Sequence, residues 1–402
     1  MEIETGAPRS SVSAAADPVR VMVVDDSAVV RGLITRMLEE EPTFSVVASV
    51  SNGQMAVGAL ERHDIDVVIL DIEMPVMDGL TALPLLLKVD PHVQIIMAST
   101  LTLKNADISL KALDRGAADY IPKPTTSREI IGGMDFKHDL LEKVRALAAV
   151  RRRYPRRGKI SGTVLAPAPG VSPVVRPSVP AAGEMATGVA ARPHPSRSTG
   201  PLTLRQPATD VPDVIAIGSS TGGPQALFAV LTALKAGSIR QPILITQHMP
   251  PTFTTILAEH ISRISGWQAA EGKDGETVMP NRIYIAPGDF HMVVETRGTE
   301  KVIRLNKNPP ENFCRPSVDP MLRSIAAAWG RRVLALILTG MGSDGLRGGQ
   351  VVVEAGGTVI AQDEATSVVW GMPGAAAMAG ICSAVLPLQD ISQYVLRLAT
   401  RH

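Results

Sequence analysis

The sequence contains few aromatic residues and almost no cysteine, and each shortage excludes a class of function. Aromatic side chains make up 3% of the 402 residues, which is too few to predict a base-stacking platform for single-stranded nucleic acid. The two cysteines, Cys314 and Cys382, form neither a metal-binding spacing nor a disulfide framework. Sparse, unpaired cysteine is typical of a reducing compartment, so we expect a cytoplasmic protein.

Long apolar runs and an excess of one charge are also missing. No run reaches the roughly 18 apolar residues that a membrane-spanning helix needs. The formal net charge is +1, which predicts no general attraction to nucleic acid or to an anionic membrane. Residues 1–18 carry acidic residues and no apolar core of a secretory signal, and we interpret them as a short disordered lead.

The chain divides into three regions by composition, and its length favours more than one domain. Residues 19–150 and 211–402 both alternate short apolar runs with amphipathic segments, which is the pattern of repeated βα units. Runs that are apolar on both faces predict mostly parallel sheets covered by helices on both sides. Residues 151–210 are rich in proline, small residues and arginine, and predict a linker. Residues 290–306 alternate in polarity around an Arg-Gly pair and predict a hairpin.

Carboxylates in the first region follow the predicted strands. Asp25 and Asp26 come after the first strand, and Asp71 ends the third. One such aspartate alone is often only a helix N-cap, but strand ends of a parallel sheet meet at one edge, and clustered carboxylates favour a cation. Oxygen ligands suit Mg²⁺. Ser99 ends the fourth strand and Lys123 follows the fifth, where a hydroxyl and an ammonium group can contact a phosphoryl group.

The first region resembles the receiver domain of two-component response regulators in the segments VVDDS, LDIEMPVMDG, MAST and YIPKP. The resemblance implies a (βα)5 flavodoxin-like fold and phosphoryl transfer from a histidine kinase to Asp71. The magnesium ligands that it implies are Asp25, Asp26, Asp71 and the backbone of Glu73. The residues that it implies for reading the phosphoryl group are Ser99 and Lys123, with Tyr120 as the aromatic side chain that moves with the hydroxyl.

A glycine-rich turn opens the third region. The segment from Gly218 to Gly222 fits the pattern G-x-S-x-G between a predicted strand and a predicted helix, and this frame selects Ser220 rather than Ser219 as the exposed serine. A phosphate cradle is the competing interpretation, but the dinucleotide fingerprint and the P-loop lysine are both missing. Ser220 is therefore a candidate nucleophile. The five-residue pattern suggests this role but does not establish it by itself.

A serine nucleophile needs a base, and the base needs a group that orients it. His248 directly follows a predicted strand, and His291 also follows one and remains the alternative base. His260 lies in a helical segment, where we expect a partly exposed surface residue. Asp344 lies just beyond another predicted strand and is the candidate orienting carboxylate.

Six segments of this region resemble the catalytic domain of chemotaxis protein-glutamate methylesterases, the CheB family. They are IGSSTGGP, TQHMP, IYIAPGDFHM, RPSVDPML, LTGMGSDG and SVVWGMPGAA. The resemblance implies a doubly wound, mostly parallel α/β domain. The site residues that it implies are the triad Ser220, His248 and Asp344, with Thr221 bordering the site and Met341 supplying an oxyanion-hole N–H. Ser219 stands where the family commonly has alanine, and Cys314 lies near a position often occupied by histidine; we expect neither to touch the triad.

These resemblances together imply a phosphorylation-activated serine hydrolase with methylated chemoreceptors as substrate and a chemotaxis histidine kinase as phosphodonor. It would release methanol from glutamyl methyl esters and deamidate receptor glutamines, and the esterase would need no cofactor. Its unphosphorylated receiver would cover the active site. The alternatives are a phosphorylation-controlled scaffold, a hydrolase of a different ester, or a regulator with a DNA-binding output. The last is disfavoured because the second half repeats βα units and has no clustered Lys/Arg run.

Overall fold

The computed structural model describes residues 17–100, 102–123, 134–154 and 202–400. Most of the predicted lead (residues 1–18) and most of the predicted linker (residues 151–210) lie outside the described residues. None of the described helices combines the length and the apolar character needed to cross a membrane.

In the described part of the first unit, five parallel strands form one sheet in the order β2-β1-β3-β4-β5. The strands are β1 (Val19–Val24), β2 (Phe44–Val50), β3 (Val67–Asp71), β4 (Gln94–Ser99) and β5 (Asp119–Pro122). The helices are α1 (Ala28–Glu39), α2 (Gly53–Arg62), α3 (Gly79–Val89), α4 (Leu103–Asp114) and α5 (Met134–Arg151). The central strand β3 is buried along its whole length, because helices cover both faces of the sheet.

Side chains cap four helices of this unit at their N-termini. Ser27, Asn52, Asp78 and Thr102 each accept a hydrogen bond from a backbone N–H in the first turn of the helix that follows. A cap of this kind satisfies an N–H that has no partner within the helix, and typically stabilises it by about 1 kcal/mol. The helices therefore begin close to the strand ends, which keeps the connections at the edge that carries Asp71 short.

In the described part of the second unit, seven strands form a parallel sheet in the order β14-β13-β12-β6-β7-β9-β8. Its strands are β6 (Val214–Ser219), β7 (Ile243–Gln247), β8 (Gln268–Glu271), β9 (Arg282–Ile285), β12 (Val333–Ile337), β13 (Thr358–Gln362) and β14 (Ala384–Leu386). The predicted hairpin is confirmed as the antiparallel pair β10 (His291–Arg297) and β11 (Glu300–Asn306). The helices are α6 (Gly223–Ala233), α7 (Phe253–Ser265), α8 (Val318–Trp329), α9 (Leu346–Glu354), α10 (Met372–Met378) and α11 (Leu388–Ala399).

The two units share a hydrophobic core. One continuous cluster contains Leu110 and Leu113 of α4 together with Phe228 of α6 and Phe253 of α7. The face of the large sheet that carries α8, α9 and α10 has a separate core. The first unit therefore packs on α6 and α7.

Three contacts join the units at this interface. The ring of Tyr120 stacks on the ring of Phe253, and Gln225 Nε2 donates to the backbone oxygen of Ala117 at 2.8 Å. His260 Nε2 lies 3.1 Å from Asp114 Oδ2. The expectation of a partly exposed His260 is wrong: its residue is 4% exposed, because the first unit covers the outer face of α7.

Candidate active site and phosphoacceptor site

Three carboxylates meet at the strand edge of the first unit, as the sequence predicts. Oxygen atoms of Asp25, Asp26 and Asp71 all lie within 4.8 Å of one another. Lys123 Nζ lies 2.6 Å from Asp25 Oδ2 and 2.7 Å from Asp71 Oδ1. Burial raises the pKa of Asp71 to about 6; Lys123 lowers it and Asp25 raises it. Among the described residues, Lys123 is the one lysine in contact with Asp25 and Asp71, which leaves the three carboxylates suited to a cation.

Each of the other predicted residues of this site, Ser99, Tyr120 and Glu73, makes a defined contact with a further side chain. Ser99 ends the neighbouring strand β4, and its buried hydroxyl accepts a hydrogen bond from Ser109 Oγ at 3.2 Å. Tyr120 is buried against Phe253, on the side that faces the second unit. The Glu73 side chain points to Lys104, with 3.0 Å between Oε1 and Nζ, so that only its backbone remains for the predicted ligand role.

The predicted nucleophile and base leave two neighbouring strands of the second unit. Strands β6 and β7 are parallel, with Ser219 opposite Gln247, so Ser220 and His248 come next at the same edge of the sheet. The His248 N–H donates to the Ser219 backbone oxygen at 3.1 Å, and the Ser220 N–H donates to the Thr339 backbone oxygen at 3.0 Å. These bonds fix the Ser220 turn between β7 and β12.

Glycines allow close approach around Ser220. A Cβ atom on Gly223 would lie 2.0 Å from Gln247 Oε1, and one on Gly340 would lie 2.8 Å from Ser220 Cβ. Gly222 has a φ of +72°, which glycine adopts without strain. Ser219 is fully buried and donates from its hydroxyl to Gln247 Oε1 at 2.6 Å, so the structure gives Ser219 a packing role and leaves Ser220 at the turn.

Asp344 is a buried, strongly hydrogen-bonded carboxylate. His248 Nε2 lies 2.7 Å from Asp344 Oδ2. The other donors to its two oxygens are Ser317 Oγ, Asn312 Nδ2 and the backbone N–H groups of Val318, Asp319 and Gly345, at 2.7–3.0 Å. Burial raises the pKa of Asp344, but these hydrogen bonds and His248 bring it down to about 2. Val318 and Asp319 open α8, and the N-terminus of a helix favours a negative charge.

His248 uses both ring nitrogens. Because Asp344 is ionised and can only accept, Nε2 carries a proton and donates it, and Nδ1 is left for other partners. Nδ1 lies 3.4 Å from Cys314 Sγ. Burial lowers the pKa of His248, but Cys314 and Asp344 raise it well above its ordinary value. The expectation that Cys314 stays away from the triad is wrong, since its Sγ contacts the His248 ring.

The Ser220 hydroxyl makes no hydrogen bond within the part of the chain that the structure describes, and the partners of the His248 ring nitrogens there are Asp344 and Cys314. Ser220, His248 and Asp344 therefore lie at the same edge of the sheet. No hydrogen bond yet joins the Ser220 hydroxyl to the imidazole. Catalytic hydrogen bonds are often longer in the absence of substrate and tighten when it binds.

Thr221 and Met341 lie on either side of the Ser220 turn. Thr221 is 2% exposed, and its hydroxyl oxygen has no hydrogen-bond partner among the described residues. Met341 follows Gly340, whose backbone approaches Ser220. Within the described residues the Met341 N–H donates no backbone hydrogen bond, which leaves this donor available for a substrate oxygen.

Known proteins match both units. The model of the CheB methylesterase family matches residues 215–395, and that of the response regulator receiver domain matches residues 21–134. A protein-glutamate methylesterase/protein-glutamine glutaminase 1 of Paramagnetospirillum magneticum is 65% identical over 391 residues, 97% of this chain and 99% of the relative. The chain belongs to the CheB methylesterase family.

Two further proteins that carry the CheB or protein-glutamate methylesterase name are similar to this chain. A protein-glutamate methylesterase/protein-glutamine glutaminase of Azospirillum brasilense is 61% identical over 397 residues, 97% of this chain and 95% of the relative. The crystal structure of the Thermotoga maritima CheB methylesterase catalytic domain is 39% identical, with a TM-score of 0.46, and covers 47% of this chain and 100% of that one. Membership in the CheB family confirms the predicted α/β fold class, a receiver unit followed by a methylesterase unit.

The alternative base His291 and the helical His260 both have structural contacts in this CheB chain. His291 Nδ1 accepts from the Ser317 N–H at 3.2 Å, and its Nε2 lies 3.1 Å from the Pro309 backbone oxygen, so both of its nitrogens hold the loop that carries Cys314. His260 lies between Asp114 and Arg263 at the interface of the two units. The geometry therefore favours His248 as the base.

Sequence reasoning missed three residues that hold Asp344 in place. Asn312 Nδ2 donates to both Asp344 Oδ1 and Asp319 Oδ2, at 2.8 and 3.0 Å. Asp319 accepts from the N–H groups of Gly345 and Gly348 at 3.0 and 2.6 Å, and Ser317 donates to Asp344 from its hydroxyl. The segment RPSVDPML could have indicated Ser317 and Asp319, because its serine and aspartate flank the start of a helix.

Proposed function

We propose that this chain is a phosphorylation-activated protein-glutamate methylesterase that hydrolyses glutamyl methyl esters of chemoreceptors and also deamidates receptor glutamines. The observation that carries the proposal is the His248–Asp344 pair, with 2.7 Å between Nε2 and Oδ2, at the edge where the turn of Ser220 leaves the sheet. The names of the relatives support the same two activities.

Ser220 is the nucleophile in this proposal, and His248 is the general base. Nδ1 of His248 takes the Ser220 proton as Oγ attacks the ester carbonyl, because Asp344 already holds Nε2. Asp344 fixes the ring orientation and stabilises the imidazolium that forms. General-base catalysis of this kind contributes a factor of about 10²–10⁴ to the rate.

The negative charge that develops on the carbonyl oxygen needs a preorganised donor. The Met341 N–H fits this role since it follows Gly340, where an added Cβ atom would lie 2.8 Å from Ser220 Cβ. Methanol then leaves with the proton held by His248, and water attacks the acyl-enzyme with His248 again as base. A glutamine side chain presents the same carbonyl group, and the same steps release ammonia.

The donor set in the receiver fits a magnesium ion. Asp25, Asp26 and Asp71 offer carboxylate oxygens within 4.8 Å of one another, the backbone oxygen of Glu73 completes the set, and oxygen ligands are those that Mg²⁺ prefers. The ion would offset the charge of the carboxylates and of an incoming phosphoryl group. Lys123, which already contacts Asp25 and Asp71, would then neutralise phosphoryl oxygens, with a chemotaxis histidine kinase as phosphodonor.

Phosphorylation controls access to Ser220 in this proposal. The receiver packs on α6 and α7, the helices that follow Ser220 and His248. It also reaches the loop beside the triad, where the His138 and Phe313 rings have centroids 5.5 Å apart. A phosphoryl group on Asp71 that recruits Lys123 and Ser99 changes the surroundings of Tyr120, and so favours an open arrangement. We further propose that the enzyme acts in the cytoplasm, where its two free cysteines remain reduced.

The experiment measures methanol release from methylated receptor, with and without a small phosphodonor. Ser220→Ala is expected to abolish release, whereas Ser219→Ala, the neighbouring serine that bonds to Gln247, is expected to keep it. Asp71→Asn is expected to keep the basal rate and lose the activation. A Ser220→Ala protein that still releases methanol at the wild-type rate contradicts the assignment.

A further inference from the structure

The imidazole of His248 has one nitrogen for Asp344 and one for every other partner. Nε2 lies 2.7 Å from Asp344 Oδ2, and Nδ1 lies 3.4 Å from Cys314 Sγ. A proton that leaves Ser220 must reach Nδ1, because Asp344 holds the other nitrogen. In the described arrangement that nitrogen is already in contact with a thiol.

We propose that the Cys314 thiol competes with the Ser220 hydroxyl for Nδ1 of His248. Cys314 is then a positioning residue that keeps the imidazole from accepting the Ser220 proton. The inference rests on the proposed function for the roles of Ser220 and His248. It adds a second level of restraint, inside the active site, to the packing of the receiver over it.

The loop that carries Cys314 is fixed by several strong contacts. Cys314 and Glu311 exchange backbone hydrogen bonds at 3.0 and 3.1 Å, and both Glu311 carboxylate oxygens accept from Arg323 at 2.7 Å. Arg315 Nε donates to Asp289 Oδ1 at 3.0 Å. The contact between Cys314 and His248 is therefore held by the surrounding structure, since contacts on both sides of the thiol anchor the loop.

The charges around the ring favour a protonated imidazole. Burial lowers the pKa of His248, but Cys314 and Asp344 raise it well above its ordinary value. An imidazole that already holds two protons cannot accept the Ser220 proton, so the Cys314 contact favours the state that is unable to act as base.

Other titratable groups near this pair act elsewhere. Asp319 and Glu311 interact electrostatically with Asp344, and the ring nitrogens of His291 are in contact with backbone atoms. Among these groups, Cys314 is the one that contacts Nδ1, and it is the group whose removal tests the proposal.

The first measurement is the pH dependence of kcat/KM for a small carboxylic methyl ester, on the full chain with a phosphodonor. Removal of the thiol lowers the pKa of His248, so in Cys314→Ala the acid limb of the profile is expected to move to lower pH. If the limb moves by about one pH unit, kcat/KM of the variant at a pH below the limb is about tenfold higher than that of the wild type. Cys314→Ser keeps a hydroxyl and loses the ionisable thiol, and its limb is expected to move in the same direction. Cys382→Ala is the matched control and is expected to keep the wild-type limb.

The second measurement is the rate at which iodoacetamide alkylates each thiol, followed by peptide mass spectrometry. The His248 imidazole, with Nδ1 3.4 Å from Cys314 Sγ, is the group placed to accept the thiol proton during attack on the reagent, so alkylation of Cys314 is expected to slow about tenfold or more in His248→Asn. Cys382 is an internal reference: it is fully buried, and burial raises its pKa to about 12.

The proposal requires both results. An acid limb that stays in place in Cys314→Ala and Cys314→Ser overturns it, and so does a Cys314 alkylation rate that is the same with and without the His248 imidazole. The alkylation rate does not depend on turnover. A failure of the proposed function, seen as full activity in Ser220→Ala, is therefore distinguished from a failure of this inference.

Discussion

The ring of Tyr120 lies flat on the ring of Phe253, with 4.4 Å between the centroids and 9° between the planes. Tyr120 is three residues before Lys123, which contacts Asp71. Phe253 is the first residue of α7 and comes five residues after His248. One aromatic contact therefore lies between the phosphoacceptor and the predicted base, and it joins the two units of the chain.

Loss of this stack is expected to raise the basal activity. An aromatic pair contributes about 0.5–1.5 kcal/mol beyond the area that it buries, so Phe253→Leu is expected to increase methanol release by the unphosphorylated enzyme about 2- to 10-fold. The phosphorylated enzyme is expected to change little, since the proposed open arrangement no longer contains the stack. Tyr394→Leu, on α11, is the matched control and is expected to leave the ratio of the two rates unchanged. An unchanged basal rate in Phe253→Leu contradicts a restraining role for the stack.

The two neighbouring aspartates of the site are expected to respond differently. Asp344→Asn removes the charge that orients His248, and kcat/KM for a methyl ester is expected to fall about 10²–10⁴-fold. Asp319→Asn is expected to lower kcat/KM much less. Burial raises the pKa of Asp319, and an amide oxygen at this position still accepts a hydrogen bond from the Gly348 N–H. Equal losses in both variants would show that the loop geometry, rather than the charge on Asp344, controls the rate.

Asp344 is also expected to affect stability at low pH. Its pKa of about 2 in the folded protein lies below the ordinary value of 3.8, so its contribution to the free energy of unfolding, about 2 kcal/mol, is present above pH 3.8 and is lost as the pH falls through about 2. Denaturant titrations of the wild type and Asp344→Asn across this range test the sign. Their difference should shrink as the pH falls.

The rate of Asp71 phosphorylation is expected to fall at acid pH. A carboxylate must be ionised to attack phosphorus, and burial raises the pKa of Asp71 to about 6, so the rate with a small phosphodonor should fall as the pH drops through about 6. Added Mg²⁺ favours the ionised form and should move the limb to lower pH. A limb at the ordinary pKa of 3.8 without Mg²⁺ would contradict the desolvation of Asp71.

The raised pKa of Asp71 has the opposite effect on stability from that of Asp344. The folded protein takes up this proton more readily than the unfolded chain, so the contribution of Asp71 is present below pH 3.8 and is lost as the pH rises through about 6. Asp71→Asn is therefore expected to raise the free energy of unfolding at pH 7, by about 1–3 kcal/mol. A denaturant titration without Mg²⁺ measures it.

Gly340 is expected to be intolerant of a side chain. A Cβ atom there would lie 2.4 Å from Met372 Sδ and 2.8 Å from Ser220 Cβ, so Gly340→Ala should displace Ser220 and lower kcat about 10²-fold. Gly32→Ala is the matched control: nothing lies within 4 Å of its Cβ, and alanine in α1 should stabilise the helix by up to about 1 kcal/mol. Full activity in Gly340→Ala would mean that the turn of Ser220 adjusts freely.

Most strands could be predicted, and the reason is local. The runs at residues 19–24 and 333–340 are apolar on both faces, and the structure buries β1 and β12 almost completely. The short edge strands β8 and β14 were missed. Gln268–Glu271 is partly exposed, so it has no apolar run, and its pairing with β9 depends on residues distant in the sequence.

The candidate site was predicted where a motif fixes its own geometry. The turn of Ser220 is encoded within five residues, because glycine adopts the φ of +72° at position 222 without strain. The contact of Cys314 with His248 joins positions 66 residues apart, and burial of His260 depends on Asp114 from the other unit. No local pattern reports such contacts.

The sequence by itself determined the two α/β units, the carboxylates at the edge of the first sheet and the serine turn of the second, because strand periodicity and glycine turns are set by neighbouring residues. The tertiary structure alone decided which thiol faces His248 and which aromatic ring of the receiver lies on α7. These are contacts between distant segments, and they form only when packing brings the strand ends and the two units together.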